Sequence, residues 1–244
     1  MGSDGRNSSA PAGPAPPPAS NATAAGTTRG HRAAWAGIVF ALLFTTGFAL
    51  LDQVPKSQAS DAELADFYKG SGSEVLIVAA FYIVPFAGIA FLWFLAALRQ
   101  RVLHIAGLED PLLSTVQLLS GALFVAMMFV SAAAGASTAA SIEYGGGSVP
   151  TVDDLREMIS LGQTMAMVYA LRSAAVFIAA GTTRAHRAGL FPRWFTFTSY
   201  LVAVVLLLAT TFFRPIVLVF PAWVAAVSIL VLRRLPKAPR PVAA

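Results

Sequence analysis

The sequence predicts an all-α fold: a polytopic membrane bundle of six transmembrane helices, N-in/C-in, with a short outer surface helix near residues 60–69. Three observations lead there. The chain has 244 residues, 57% hydrophobic and 12% charged, where a soluble domain carries about 25% charged residues. Its mean hydropathy of +0.69 is too apolar for a water-facing surface, which excludes a soluble enzyme and a disordered chain. Finally, six apolar stretches alternate with charged segments, and the charges are sorted by side.

The apolar stretches lie near 33–52, 75–98, 115–140, 158–181, 195–213 and 216–232. A helix rises about 1.5 Å per residue and the hydrocarbon core is about 30 Å thick. The first four stretches are long enough to span it. The last two reach only about 29 and 26 Å, and need local thinning or snorkelling flanks. Arg214-Pro215 separates them. Proline lacks a backbone donor but fits a first helical turn, so this pair reads as a tight turn opening the sixth span.

Residues 1–32 form a Pro/Ala-rich cytoplasmic tail, with the run Ala10 to Pro18 at its centre. Such a segment buries too little apolar surface to offset its ordering entropy and is expected to be disordered. Residues 33–234 form the transmembrane domain and 235–244 a basic cytoplasmic tail.

Lysine and arginine set the orientation. Arg6, Arg29 and Arg32 lie in the first tail, and Arg99 and Arg101 in the second loop. Arg184, Arg187 and Arg193 lie in the fourth loop, and Arg233, Arg234, Lys237 and Arg240 at the C-terminus. These are twelve of the 17 basic residues. The opposite side holds Lys56, Lys69, Arg156 and Arg214, with most of the carboxylates. The bias puts both termini in the cytoplasm, which requires an even number of crossings. It also accounts for the net charge of +5 without nucleic acid, since no basic patch is interleaved with aromatics that would stack bases.

In the first outer loop, Ser60-Asp61-Ala62-Glu63 forms a capping box, followed by Leu64, Phe67 and Tyr68 at helical spacing and a stop at Gly70. A helix of about two turns on the outer membrane surface is expected. Thr151-Val152-Asp153-Asp154 is a second box, opening the fourth span. These loops read as ordinary helix starts, with a lid over an outer pocket as the alternative. From Ser131 to Ser141 the third span is an unbroken run of Ser, Ala, Gly and Thr. Small residues allow close helix approach, so this helix is expected to be the most buried, with Ser131, Gly135 and Ala139 on one face. The run could instead line a cavity.

The search for chemistry is nearly empty. There is no cysteine, hence no thiolate. No metal, phosphate or dinucleotide motif is present. Gly135-Ala136-Ser137-Thr138 superficially resembles the serine motif of intramembrane rhomboid proteases, but His31, His104 and His186 all lie toward the cytoplasmic side, about 20 Å or more from Ser137. No base can reach it. Thr182 to Arg187 with Arg193 and Trp194 could hold an anionic headgroup, but positive-inside bias with an interfacial tryptophan is the preferred reading.

One residue stands apart. Arg172 lies in the fourth span, about 18 Å from Arg184 and about 24 Å from Arg156 by helix rise. A mid-membrane charge costs a few kcal/mol and needs a partner or a wet cavity. Asp52 is the best acidic candidate by depth, and Thr45, Thr46 and Tyr82 offer neutral oxygens. Arg172 is therefore expected to pair inside the bundle with Asp52 or these groups, in a structural role or as a substrate or lipid site.

Four stretches carry a resemblance: Ser60 to Tyr68, Phe91 to Arg99, Gly189 to Trp194, and Pro221 to Val224. They resemble a family of six-span integral membrane proteins of actinomycete type, a domain of unknown function, over about residues 33–234. The resemblance implies six spans and a multi-pass protein of the cell membrane, and no particular substrate. The resulting expectation is a non-enzymatic membrane protein with a structural, accessory or lipid-interacting role, without a cofactor. The alternative is a small transporter or channel with a cavity around Arg172, where Pro85, Gly88 and Pro221 would break helices near the site. Membrane lipids are the expected partners, with homo-oligomers or another membrane partner left open.

Overall fold

The computed structural model describes residues 19–55, 59–70, 72–106, 110–145, 151–208 and 213–233. For residues 19–33, Ala65, Lys69, His104 and Ala106 the description is limited to the backbone. The Pro/Ala-rich run and the basic C-terminal tail lie outside the described residues, as do the side chains of Arg29, His31, Arg32 and His104.

Every described element is helical. In chain order these are α1 (Ala19–Leu51), α2 (Asp61–Lys69), α3 (Gly72–Val78), a π-helical turn (Ala79–Ile83), α4 (Val84–Ala106) and α5 (Pro111–Gly145). Then come α6 (Val152–Thr164), a second π turn (Met165–Ala170), α7 (Leu171–Arg187), α8 (Arg193–Leu208), a 3₁₀ turn (Arg214–Leu218) and α9 (Val219–Arg233). Five segments are long and apolar enough to cross a membrane: Ala34–Leu51, Gly72–Leu103, Pro111–Gly145, Val152–Arg187 and Arg214–Arg233. The fifth expected span corresponds to α8, whose 16 described residues rise about 24 Å.

Neighbouring helices run antiparallel. Gly37 and Gly47 on α1 meet Phe94 and Ile83. Gly121 on α5 faces Leu95, while Phe129 on α5 faces Gly88. Ser131 reaches Gly162, while Gln117 reaches Arg184. Thr183 bonds Tyr200 and His186 bonds Thr196 across the α7–α8 hairpin. Asp52 meets Arg214 at one end of α1, and Gly37 lies against Ser228 farther down.

The hairpin turn is dictated locally. The Leu190 N–H bonds the Ala185 carbonyl at 2.8 Å and the Gly189 N–H bonds that of His186 at 2.9 Å. This closure needs a left-handed residue after the helix, and Gly189 supplies it at φ 69°.

Five helices each contribute one phenylalanine to the centre: Phe40, Phe91, Phe124, Phe177 and Phe220, none more than 2% exposed. Phe91 lies 5.0 Å from Phe40, 5.5 Å from Phe124, 5.2 Å from Phe177 and 5.5 Å from Phe220 between ring centroids. Phe124 and Phe220 are 4.4 Å apart. Tilted and edge-on rings satisfy the quadrupole preference at these separations, and such packing is what holds helices together where lipid provides no hydrophobic drive.

Several expectations are met and others corrected. The Ser60 hydroxyl accepts from the Glu63 N–H at 3.3 Å and α2 stops at Gly70. Thr151 caps α6 in the same way, accepting from the Asp154 N–H at 3.3 Å. Pro215 occupies the first turn of the 3₁₀ segment. However, α2 turns its apolar face to the protein: Leu64 is fully buried and Tyr68 packs in a cluster with Leu76, Ala132, Ala136 and Leu155. The helix α1 starts at Ala19, upstream of the expected end of disorder at residue 32. Ala19, Ala22, Ala24 and Ala25 belong to the strongest helix former. Nor is α5 the most buried crossing. Of its apolar window 33% is buried, against 56% for Val152–Arg187, because α7 packs between α5 and α8 whereas Leu119, Leu123 and Val130 on α5 stay exposed.

Candidate functional site

A cavity of about 140 Å³ lies between the phenylalanine cluster and the Asp52–Arg214 pair. Helix α1 builds one wall with Phe40, Phe44, Phe48 and Leu51 at successive turns. Phe40 and Asp52, both on its wall, are twelve residues apart, about 18 Å of helix. Opposite stand Gly88 of α4, Phe129, Ser131 and Gly135 of α5, Gly162 and Gln163 of α6, and Met167 of the second π turn. The small-residue run of α5 therefore serves both roles weighed for it. Ser131 donates to the Gly162 carbonyl at 2.7 Å, a close helix contact. Gly135 leaves open space: a Cβ there would meet nothing within 4 Å.

The polar side chains on the wall are Asp52, Ser131, Gln163 and Arg214. Arg214 Nη1 donates to the Asp52 carboxylate at 3.0 Å and to the Asp52 carbonyl at 3.2 Å. The second bond satisfies a backbone acceptor left open where α1 ends, and the cation suits that negative helix end. The Gln163 side chain has no hydrogen-bond partner among the described residues. The chamber wall is thus mostly apolar, with four polar side chains, two of them joined in the ion pair. An apolar cavity near 150 Å³ accommodates an object the size of a benzene ring, so this one fits a segment of an acyl chain or an isoprenoid unit.

Both π turns adjoin this chamber, through Val84 beside the first and Ala166 and Met167 within the second. The first ends two residues before Pro85, whose missing N–H breaks the regular ladder there. Accordingly Pro85 and Gly88 do not break α4, which continues to Ala106. Pro221 sits in the opening turn of α9.

The residues expected to gather around Arg172 do not converge. Arg172 Nη1 donates to the Val168 carbonyl of its own helix at 2.9 Å, and Asp52 is taken by Arg214. The reason is register and face. Gly162, Gln163, Ala166 and Met167 look into the chamber holding Asp52. Met165, Tyr169, Arg172, Ser173 and Val176 form another face of the same crossing. Arg172 is also nine residues beyond Gln163, about 13 Å deeper. Thr45 and Thr46 are exposed on α1, and Tyr82 is 58% exposed on the first π turn.

Toward the opposite end, Arg184 is 5% exposed and donates to Gln117 Oε1, with Gln117 at 3%. Arg184 reads as a loop charge in the sequence, yet it lies inside the last turns of α7. The polar Gln117 within an apolar span was the available signal. The Ser137 hydroxyl donates to Ala134 of its own helix at 3.0 Å, while His186 lies beside Thr196 at the other end of the bundle. Among the described residues no group of three or more His, Asp or Glu is arranged to hold a metal ion.

Comparison with known proteins gives no match to any family model, to any curated protein or to any solved structure.

Proposed function

We propose that the chain is a non-enzymatic, six-span protein of the cell membrane with both termini cytoplasmic, and that it binds a membrane amphiphile in the chamber below Asp52 and Arg214. The observation carrying this reading is the chamber itself: a largely apolar cavity of about 140 Å³ with the Asp52–Arg214 ion pair and an unbonded Gln163 on its wall. Such a lining suits an acyl or isoprenoid segment whose polar end stays near the carboxylate and the guanidinium. The sixth crossing is supported by position. Arg193 follows a turn at the Asp110–Arg187 end and opens α8, and Arg214 lies at the Asp52 end. Orientation is supported by the basic residues, and six spans also by the family resemblance, to which we assign the chain.

Native mass spectrometry of protein extracted from its own membrane tests the reading. A lipid-sized adduct is expected on the wild type. The variant Gly135→Leu, which fills space left open at Gly135, is expected to lose it with unchanged thermal stability. No adduct on the wild type, or an adduct indifferent to Gly135→Leu, overturns it. A transport path around Arg172 has less support, because the chamber lies on another face of that crossing.

A further inference from the structure

On the outer surface of the bundle, α5 and the crossing that contains α7 enclose an open groove of about 790 Å³. Its α5 side runs from Val116 to Val130, about 21 Å of helix. Leu119 and Leu123 on one bank and Tyr169 on the other are 64%, 49% and 51% exposed. Ser120 and Ser173 lie in the groove, their hydroxyls already bonded to carbonyls of their own helices. The single charge is Arg172.

The guanidinium makes one hydrogen bond among the described residues, to Val168. No described ion pair involves it: Asp52, Asp61, Asp110 and Asp153 are held by Arg214, Arg156, Arg187 and Arg156 at the two ends of the bundle. Arg172 is 15 residues from Arg187 and 16 from Arg156, about 22 and 24 Å along the crossing. Its bond to Val168 follows the lean of helical side chains toward the N-terminus, which points it along the longer way to water. A lipid phosphate would have to sink to mid-membrane to reach it. A guanidinium in hydrocarbon needs an acceptor, and at this depth a carboxylate is most readily carried by a helix.

We propose that this groove receives a transmembrane helix of a different protein, one that places an Asp or Glu opposite Arg172. Charge complementarity selects the occupant. A second copy of this chain offers no described acid at that depth, and the groove has the length and apolar banks of a helix-in-groove contact. The inference depends on the chain spanning the membrane and is independent of what the chamber binds.

The test uses full-length protein in phosphatidylcholine liposomes and a labelled 21-residue leucine-rich transmembrane peptide with one central Glu. Energy transfer reports association. The Glu peptide is expected to bind about tenfold more tightly than its Gln and Leu twins, the scale of a polar contact between membrane helices. Arg172→Leu should abolish that advantage and Arg172→Lys should keep part of it. Leu123→Trp, which retains Arg172 and obstructs the groove, should weaken binding and covers the case in which Arg172→Leu does not fold. Equal binding of the three peptides overturns the proposal, as does a Glu advantage that survives Arg172→Leu. So does loss of the advantage when a few per cent of oleate or anionic phospholipid is added, which would make the occupant a lipid. Arg172-dependent association between two copies of the protein would likewise overturn it.

Discussion

Arg214 grips Asp52 twice, through its carboxylate at 3.0 Å and its backbone carbonyl at 3.2 Å. One side chain thereby ties the start of the last crossing to the end of the first. The Arg214 side chain is 18% exposed and that of Asp52 50%, so solvent screens the pair and its coupling stays modest. A double-mutant cycle with Asp52→Asn and Arg214→Gln should give a coupling of about 0.5–1 kcal/mol, shrinking in high salt. Thermal unfolding in mild detergent measures it. No coupling at low salt would remove the pair from any role in closing the chamber.

Gly37 is a packing requirement. A Cβ built there would collide with Ser228 Oγ and lie 2.7 Å from the Phe94 ring. Ser228 and Phe94 are buried, so neither can move freely. Gly37→Ala is expected to cost about 1–3 kcal/mol, the range for overpacking. Adding Ser228→Gly should recover part of the loss in the same unfolding assay, and Gly47→Ala, whose nearest contact would be 3.2 Å, should cost less.

The phenylalanine cluster separates two contributions that soluble cores mix. For Phe220→Ala the transfer term largely vanishes, because the unfolded helix rests in lipid. The cavity term remains, and about 24 cal/mol per Å³ over roughly 100 Å³ gives about 2 kcal/mol. A measured loss within a few tenths of zero would mean that the neighbouring helices collapse into the space.

Tyr68 gives a pH signature. Burial among Leu76, Ala132 and Leu155 raises its phenol above the ordinary value near 10. A raised folded pKa means that the docked state holds the proton more tightly than the undocked state. Docking of α2 is therefore fully stable below pH 10 and weakens as pH rises from there through the folded pKa. The midpoint of thermal unfolding should fall over that range by more in the wild type than in Tyr68→Phe.

Much of this architecture is written locally. Ser60 with Glu63, Thr151 with Asp154, and Arg214-Pro215 each specify a helix start within a few residues, and all three starts are formed. The long crossings follow equally from uninterrupted apolar length. What depends on which helices become neighbours was not legible. Depth along the membrane brought Asp52 nearest to Arg172, but α9 packs beside α1 and delivers Arg214 instead. The π turns shift the helical register by a residue and have no simple composition signal. Of the chamber, the Phe40, Phe44 and Phe48 spacing on α1 was visible in the sequence, but its meaning required the four other helices that surround it.

The placement of the five rings has a directional consequence. The chamber reaches Phe40 and Phe124 but includes none of Phe91, Phe177 or Phe220 beyond them, so the aromatic knot is its floor. On the proposed reading, a guest admitted past Asp52 would meet these rings and leave by the way it entered. The bundle would then hold a molecule and present it at the Asp52 end.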